Sequence, residues 1–235
     1  MELVPLPGSV GSTSRIDFQR AARACCNCAR MTAVSTSEDI LIAAEERFEI
    51  ARRALEPDHC ALVVVDIQEK LLPPIFQREQ MVKNAQLLIR AAKILSIPAL
   101  VTTQYAKGLG ATTAEIASLL PETEAMDKQL FSCFGSEAFC AALKRLPGQR
   151  NTLLLCGMES HICVMQTALA GLRAGYLIHV ASDAVSSRSE WNWKIGLERM
   201  RTAGAVISST EMMIYELMKS SRSPAFKELL PYLRG

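Results

Sequence analysis

Short, nearly wholly apolar runs recur along this chain, and between them the hydrophobic period turns helical. Six such runs can be marked: ALVVVDI (61–67), PALVTTQ (98–104), a shorter one around 125–130, NTLLLCG (151–157), YLIHVAS (176–182) and AVISS (205–209). A run that stays apolar at every position, rich in Val and Leu, reads as a strand covered on both faces. Helical spacing occupies 81–96, 136–146, 160–174 and 189–203, and two further helices, 210–219 and 223–230, close the chain. Strands joined through helix-length crossovers pair in parallel. The expected fold is therefore α/β, three layers α/β/α around a six-stranded parallel sheet. Ligands of such sheets bind outside the carboxyl ends of the strands, where the strand order reverses. Attention falls on the residues at the ends of the first, third and fourth strands: Asp66, Lys128 and the stretch after Cys156.

Composition narrows the function classes. The 235 residues are 49% hydrophobic, enough for one well-buried core without disulfide or metal support. Lys and Arg number 26 against 24 Asp and Glu, a net +2 that supplies no field for a nucleic-acid partner. No uncharged apolar stretch approaches the ~18 residues of a membrane span. Eight cysteines are too dilute for a disulfide scaffold and point to a reducing compartment. Cys25, Cys26 and Cys28 cluster, yet offer three thiolates with no fourth ligand at zinc spacing. Residues 1–36 read as a flexible extension. Within it RIDFQRAARACCNCAR (15–30), basic and nearly free of acids, looks like a mitochondrial transit segment, so the localisation expected is cytoplasmic or mitochondrial. Ile40, Ala44, Phe48, Ala51 and Leu55 mark one face of a helix in 37–58, ended by Pro57, and a single domain occupies 59–235.

Each strand-end residue has two readings. Asp66 closes a buried strand, as a structural cap or as a base that needs a partner there. Lys128, inside MDKQLF, either snorkels or pairs. Cys163 falls in the first turn of the helix that Ser160 caps, where free N–H groups favour a thiolate and can bring its pKa down to roughly 3.5–7.5. Alone it reads as core. Together an acid, a cation and a thiol on one sheet edge make a nucleophilic site.

The strings that carry the site resemble the isochorismatase-like cysteine hydrolases. They are VVVDIQEKL (63–71); KQLFSCF (128–134), similar to a Lys-x-x-Phe-Ser-x-Phe stretch; and CGMESHICV (156–164), similar to the nucleophile segment. TQYAKGLGAT (103–112), SDAVSSRS (182–189) and STEMMIYEL (209–217) look like the isochorismatase domain-containing subgroup. The resemblance implies a catalytic triad of Asp66 as base, Lys128 as the paired cation and Cys163 as nucleophile, acting through a thioester-type intermediate. It implies an oxyanion hole from the backbone N–H groups of Glu159 and Cys163, with a cis peptide between Met158 and Glu159. Gln104, Tyr105, Phe131 and Phe134 are expected around the substrate, Gln104 offering a hydrogen bond and the two phenylalanines equally readable as core. His161 is given an orienting role at most; His59 and His179 read as structural or surface.

The Asp-x-His metal motif of nicotinamidases is replaced here by Thr103-Gln104-Tyr105-Ala106, so neither metal nor cofactor is expected. Hydrolysis of the vinyl ether of isochorismate does not need the cysteine, so Cys163 argues for an amide-, ureide- or ester-type small-molecule substrate. Competing readings are a non-catalytic oligomeric scaffold or partner-binding protein of the same fold and, less favoured, a nucleic-acid-processing role. Met212, Met213, Ile214, Leu217 and Met218 suggest a homo-oligomer, or packing on the chain's own sheet.

Overall fold

A computed structural model describes residues 54–234. The expectations for 1–36, and for the helix in 37–58 up to residue 53, lie outside the described residues. Six strands form one sheet: β1 (Cys60–Val65), β2 (Ala99–Gln104), β3 (Met126–Lys128), β4 (Thr152–Met158), β5 (Leu177–Ser186) and β6 (Val206–Ser208), in the order β3-β2-β1-β4-β5-β6. Every pairing is parallel. The helices between and after them are α1 (Arg78–Ile94), α2 (Ala106–Leu109), α3 (Ala114–Ala117), α4 (Glu137–Arg145), α5 (Met165–Arg173), α6 (Glu190–Thr202), α7 (Thr210–Met218) and α8 (Pro224–Leu233).

The three layers arise from the period of β1. Alternate side chains of a strand leave opposite faces, and both faces of β1 are covered. Cys60, Leu62 and Val64 join the cluster of Leu88 and Ile89 from α1, Ile214 from α7 and Leu229 from α8. Ala61, Val63 and Val65 join Phe139 from α4, Ala168 from α5 and Met200 from α6. Fixed start signals set three helices. Ser136, Ser189 and Ser209 accept hydrogen bonds from the backbone N–H of Phe139, Asn192 and Met212, capping α4, α6 and α7.

The C-terminal helices decide between the two readings open for their apolar residues. Met213, Ile214, Leu217 and Met218 are buried in the chain's own core, and of that group Met212 alone is exposed. They pack on the sheet and carry no argument for self-association. Among the described residues, no helix is long and apolar enough to cross a membrane.

The strand order reverses between β1 and β4, which opens a crevice at their carboxyl ends. Gly157 lets the two strands close there. Its φ is +117°, and a Cβ would stand 2.0 Å from the carbonyl oxygen of Val65, so neither the backbone nor the space admits a side chain.

Candidate active site

Asp66 is the first residue beyond β1. Its φ of 51° turns the chain sharply and leaves the carboxylate at the strand end, where the side chain is wholly buried. Lys128 is the last residue of β3, also with a fully buried side chain, and its Nζ donates to Asp66 Oδ2 at 2.7 Å. Two charges out of water need each other and further hydrogen bonds. They have them: Thr102 Oγ1 donates to Asp66 Oδ1 at 2.8 Å, and Lys128 Nζ also donates to Gln104 Oε1 at 2.8 Å. Burial works against the Lys128 charge, but Asp66 and the nearby Cys133 and Cys163 more than reverse this, holding its pKa above the ordinary value.

Cys163 lies in a π-helical turn (Ser160–Val164) that leads into α5. The turn begins beyond a cis peptide bond between Met158 and Glu159. The thiol is buried, near enough to Asp66 and Lys128 for both charges to act on it. The structure thus brings Asp66, Lys128 and Cys163 together from three separate strand ends. The expected low thiol pKa is corrected, however. Burial first, and the Asp66 charge second, push Cys163 up to about 12 against the opposing pull of Lys128. A helix start favours a thiolate only where water or a cation dominates; here a carboxylate and a dry wall outweigh it.

Gln104 has a part in the site that the sequence reading did not give it. It is buried, its Oε1 accepts from Lys128, and its Nε2 donates to the carbonyl of Gln129 at 2.8 Å. Both ends of the amide are engaged, so Gln104 positions the lysine. Of the two readings open for Phe134, the packing favours core. It packs against Phe139 at 5.4 Å and Tyr176 at 5.7 Å, within the layer beneath α4 and α5. Tyr105 and Phe131 keep open faces, 46% and 51% exposed. The loop carrying Tyr105 is tied back onto the segment after Asp66: Glu69 N–H donates to Ala111 O, Lys70 N–H to Leu109 O, and Lys70 Nζ to Gly108 O.

Three contributors escape a reading by motif. Gln68, fully buried, accepts from Gln104 N–H at 2.7 Å through Oε1 and donates through Nε2 to Gln104 O and Gly110 O, fastening the end of β2 and the Tyr105 loop. Thr102 holds Asp66. Cys133 sits behind both, its Sγ 3.6 Å from Thr102 Oγ1, with burial and then Asp66 pushing its thiol up to about 11. The available signal is polarity: an apolar strand, ALV, that ends in Thr102, Thr103 and Gln104 must have partners for them. His59 bonds at an exposed position to Gln149 O, and His179 is buried in β5. Among the described residues, no three His, Cys, Asp or Glu side chains are grouped as metal ligands.

The isochorismatase domain model matches residues 60–212, a span that includes Asp66, Lys128 and Cys163. The chain belongs to the isochorismatase family. Membership places it among hydrolases. A secreted isochorismatase effector of Phytophthora sojae is 40% identical over 178 residues, 74% of this chain and 84% of that protein. Isochorismatase domain-containing protein 2 of Danio rerio is 38% identical over 170 residues, 72% of this chain and 83% of that one. Among solved structures, one titled as the MAR1 ribonuclease from Caenorhabditis elegans has a TM-score of 0.73 at 36% identity, covering 78% of this chain and 93% of that chain.

Proposed function

We propose that this isochorismatase-family protein is a cysteine hydrolase of small amide-, ureide- or ester-type substrates, with nucleophile, base and cation all supplied by side chains. The single observation that carries the reading is the buried Asp66–Lys128 ion pair, whose two charges both act on the buried Cys163 thiol. Asp66 accepts the thiol proton as sulfur attacks the carbonyl carbon, and returns it to the leaving nitrogen or oxygen. Lys128 stays beside the pair and compensates the negative charge that develops. The N–H groups of Glu159 and Cys163 receive the oxyanion. Water then attacks the thioester, frees the acid and restores the thiol. Tyr105 and Phe131, exposed on the segments that follow β2 and β3, suit a small planar acyl group.

A panel of amides, ureides and esters, incubated with the protein and analysed by intact-mass spectrometry, tests the reading. A turned-over substrate should leave an acyl adduct on Cys163, and both adduct and turnover should vanish in Cys163→Ala and in Asp66→Asn. Turnover that survives Cys163→Ala refutes the nucleophile. The name of the C. elegans neighbour motivates a second reading, cleavage of RNA. The near-balanced charge of the chain argues against it, and single-stranded RNA in the same panel decides it. A protein inert to the whole panel, yet binding a partner, supports the scaffold reading. Self-association is proposed through α6, where Trp191 and Ile195 stand 74% and 49% exposed; light scattering of the parent and of Trp191→Glu measures it.

A further inference from the structure

The turn that carries Cys163 is held by an arrangement that the triad does not use. Ser160 Oγ lies 2.6 Å from Ser187 Oγ, and Ser187 Oγ lies 2.9 Å from Nδ1 of His161. Both serines are wholly buried, whereas His161 is only half-buried. The same segment beyond β5 grips the turn again one residue later: Arg188 donates to Glu159 Oε2 through its backbone N–H at 3.1 Å and through Nε at 3.0 Å. Gly196 of α6 closes the other side, so near that a Cβ there would stand 2.9 Å from Ser160 O and 3.0 Å from the His161 backbone.

Counting protons gives the chain a direction. Each hydroxyl has one proton to donate. With Nδ1 as an acceptor, Ser187 donates to His161, Ser160 donates to Ser187, and no proton is left over. A proton on Nδ1 must instead be donated to Ser187. Ser187 then turns its own proton to Ser160, and the Ser160 proton is stranded, because among the described residues Ser160 Oγ has no other partner. A buried donor without an acceptor costs about 1–3 kcal/mol.

We propose that Ser160, Ser187 and His161 form a one-way hydrogen-bond chain that positions the Glu159–Cys163 turn, and that the chain is complete only when Nδ1 of His161 is an acceptor. His161 is thus a positioning residue; its link to turnover rests on the hydrolase reading, while the chain itself does not. The charged groups that His161 feels are Glu159 and Arg188, and the α6 residue it meets is the uncharged Gly196. Burial first lowers its pKa, Glu159 opposes this and Arg188 adds to it, all in keeping with a neutral ring.

The chain carries three histidines, so 15N-histidine NMR can read the ring directly, His161→Asn identifying its signals by their loss. The expected result is the Nε2–H tautomer with a titration midpoint below the ordinary value, which Ser187→Ala raises by roughly half a unit or more. An Nδ1–H tautomer, or a midpoint unmoved in Ser187→Ala, overturns the proposal. Iodoacetamide labelling of Cys163 at neutral pH reads the positioning. Because burial is what suppresses the thiolate, a loosened turn labels faster: roughly fivefold or more in His161→Ala and Ser187→Ala, and near the parent rate in His161→Asn, whose amide oxygen replaces the Nδ1 acceptor. Equal or slower labelling in both alanine variants overturns the positioning role. If Ser187→Ala does not fold, the parent tautomer and the two His161 variants still decide. NMR gives its answer whatever the protein hydrolyses, so failure of the hydrolase reading leaves this result intact.

Discussion

Removing Lys128 should expose how tightly the site's charges depend on one another. In Lys128→Met the buried Asp66 carboxylate loses a partner at 2.7 Å while every neighbouring backbone element stays in place. Coulomb's law at that separation, with an effective dielectric of about 20, gives roughly 6 kcal/mol between the two charges. Two effects reduce the net loss. Methionine has no ammonium to dehydrate, and Asp66 Oδ1 keeps the hydrogen bond from Thr102. The expected destabilisation is therefore about 3–5 kcal/mol, the range for stranding one member of a buried pair. The double variant Asp66→Asn/Lys128→Met removes both charges and should lose less than Lys128→Met alone, because no charge is left unpaired. Urea unfolding of the parent, both single variants and the double variant closes the cycle, with a coupling of about 2–3 kcal/mol expected. A single variant costing under about 1 kcal/mol, or a cycle that is simply additive, would refute the claim that these side chains form a desolvated ion pair.

Gly157→Ala should cost more than about 3 kcal/mol or prevent folding, since it adds a Cβ against Val65 O at a φ foreign to alanine; a thermal melt close to the parent's would contradict the packing at the crevice. Gln68→Ala strips the partners from both backbone groups of Gln104 and should cost about 1–3 kcal/mol by urea denaturation. His179 is buried, with Nδ1 unpartnered and its pKa pushed down by burial to about 4. The unfolded chain takes up that proton from about pH 6.5 downward and the native state does not. Stability should thus be full above 6.5 and fall towards pH 4, by about 3 kcal/mol from this group. Urea midpoints between pH 7 and 4.5 should drop less steeply in His179→Leu than in the parent.

The sheet is legible in the sequence because buried parallel strands leave no alternation to misread. β1 and β4 are apolar on both faces, and no helix of six or seven residues would present such a run. The two short helices α2 and α3 have no such signature. Each is four residues long, too short for a period to register, and the loop bearing α2 is shaped by backbone bonds to residues 69 and 70. The meeting of Asp66 and Lys128 can be anticipated from strand ends, since parallel strands deliver their carboxyl ends to one edge. Gln104 is another matter. The register that sets it opposite Lys128 decides that its amide serves the lysine, and register across β2 and β3 is not written in either segment alone. Phe131 and Phe134 are equal in composition and three residues apart. The 3-10 turn at Cys133–Gly135 comes after the exposed Phe131 and sets Phe134, partly buried, against the core.

The thiol of Cys163 is where local reasoning is most misleading, and it also shows how the site can work. A pKa near 12 describes loss of the proton to water, which would leave a sulfur anion and the Asp66 carboxylate near one another in a buried site with one cation, Lys128, to compensate them. Proton transfer from Cys163 to Asp66 is a different process. It exchanges one anion for another beside the same Lys128, so the net charge of the buried cluster does not change and no second anion has to be accommodated. The cost that holds the resting thiol neutral is then largely absent from the step in which it reacts. Such a site should resist adventitious alkylation at neutral pH and still deliver sulfur to a carbonyl bound against it. For that, Asp66 must accept the proton as the bond forms, and a variant such as Asp66→Asn, which relieves the electrostatic pressure on the thiol, should label more readily while hydrolysing nothing.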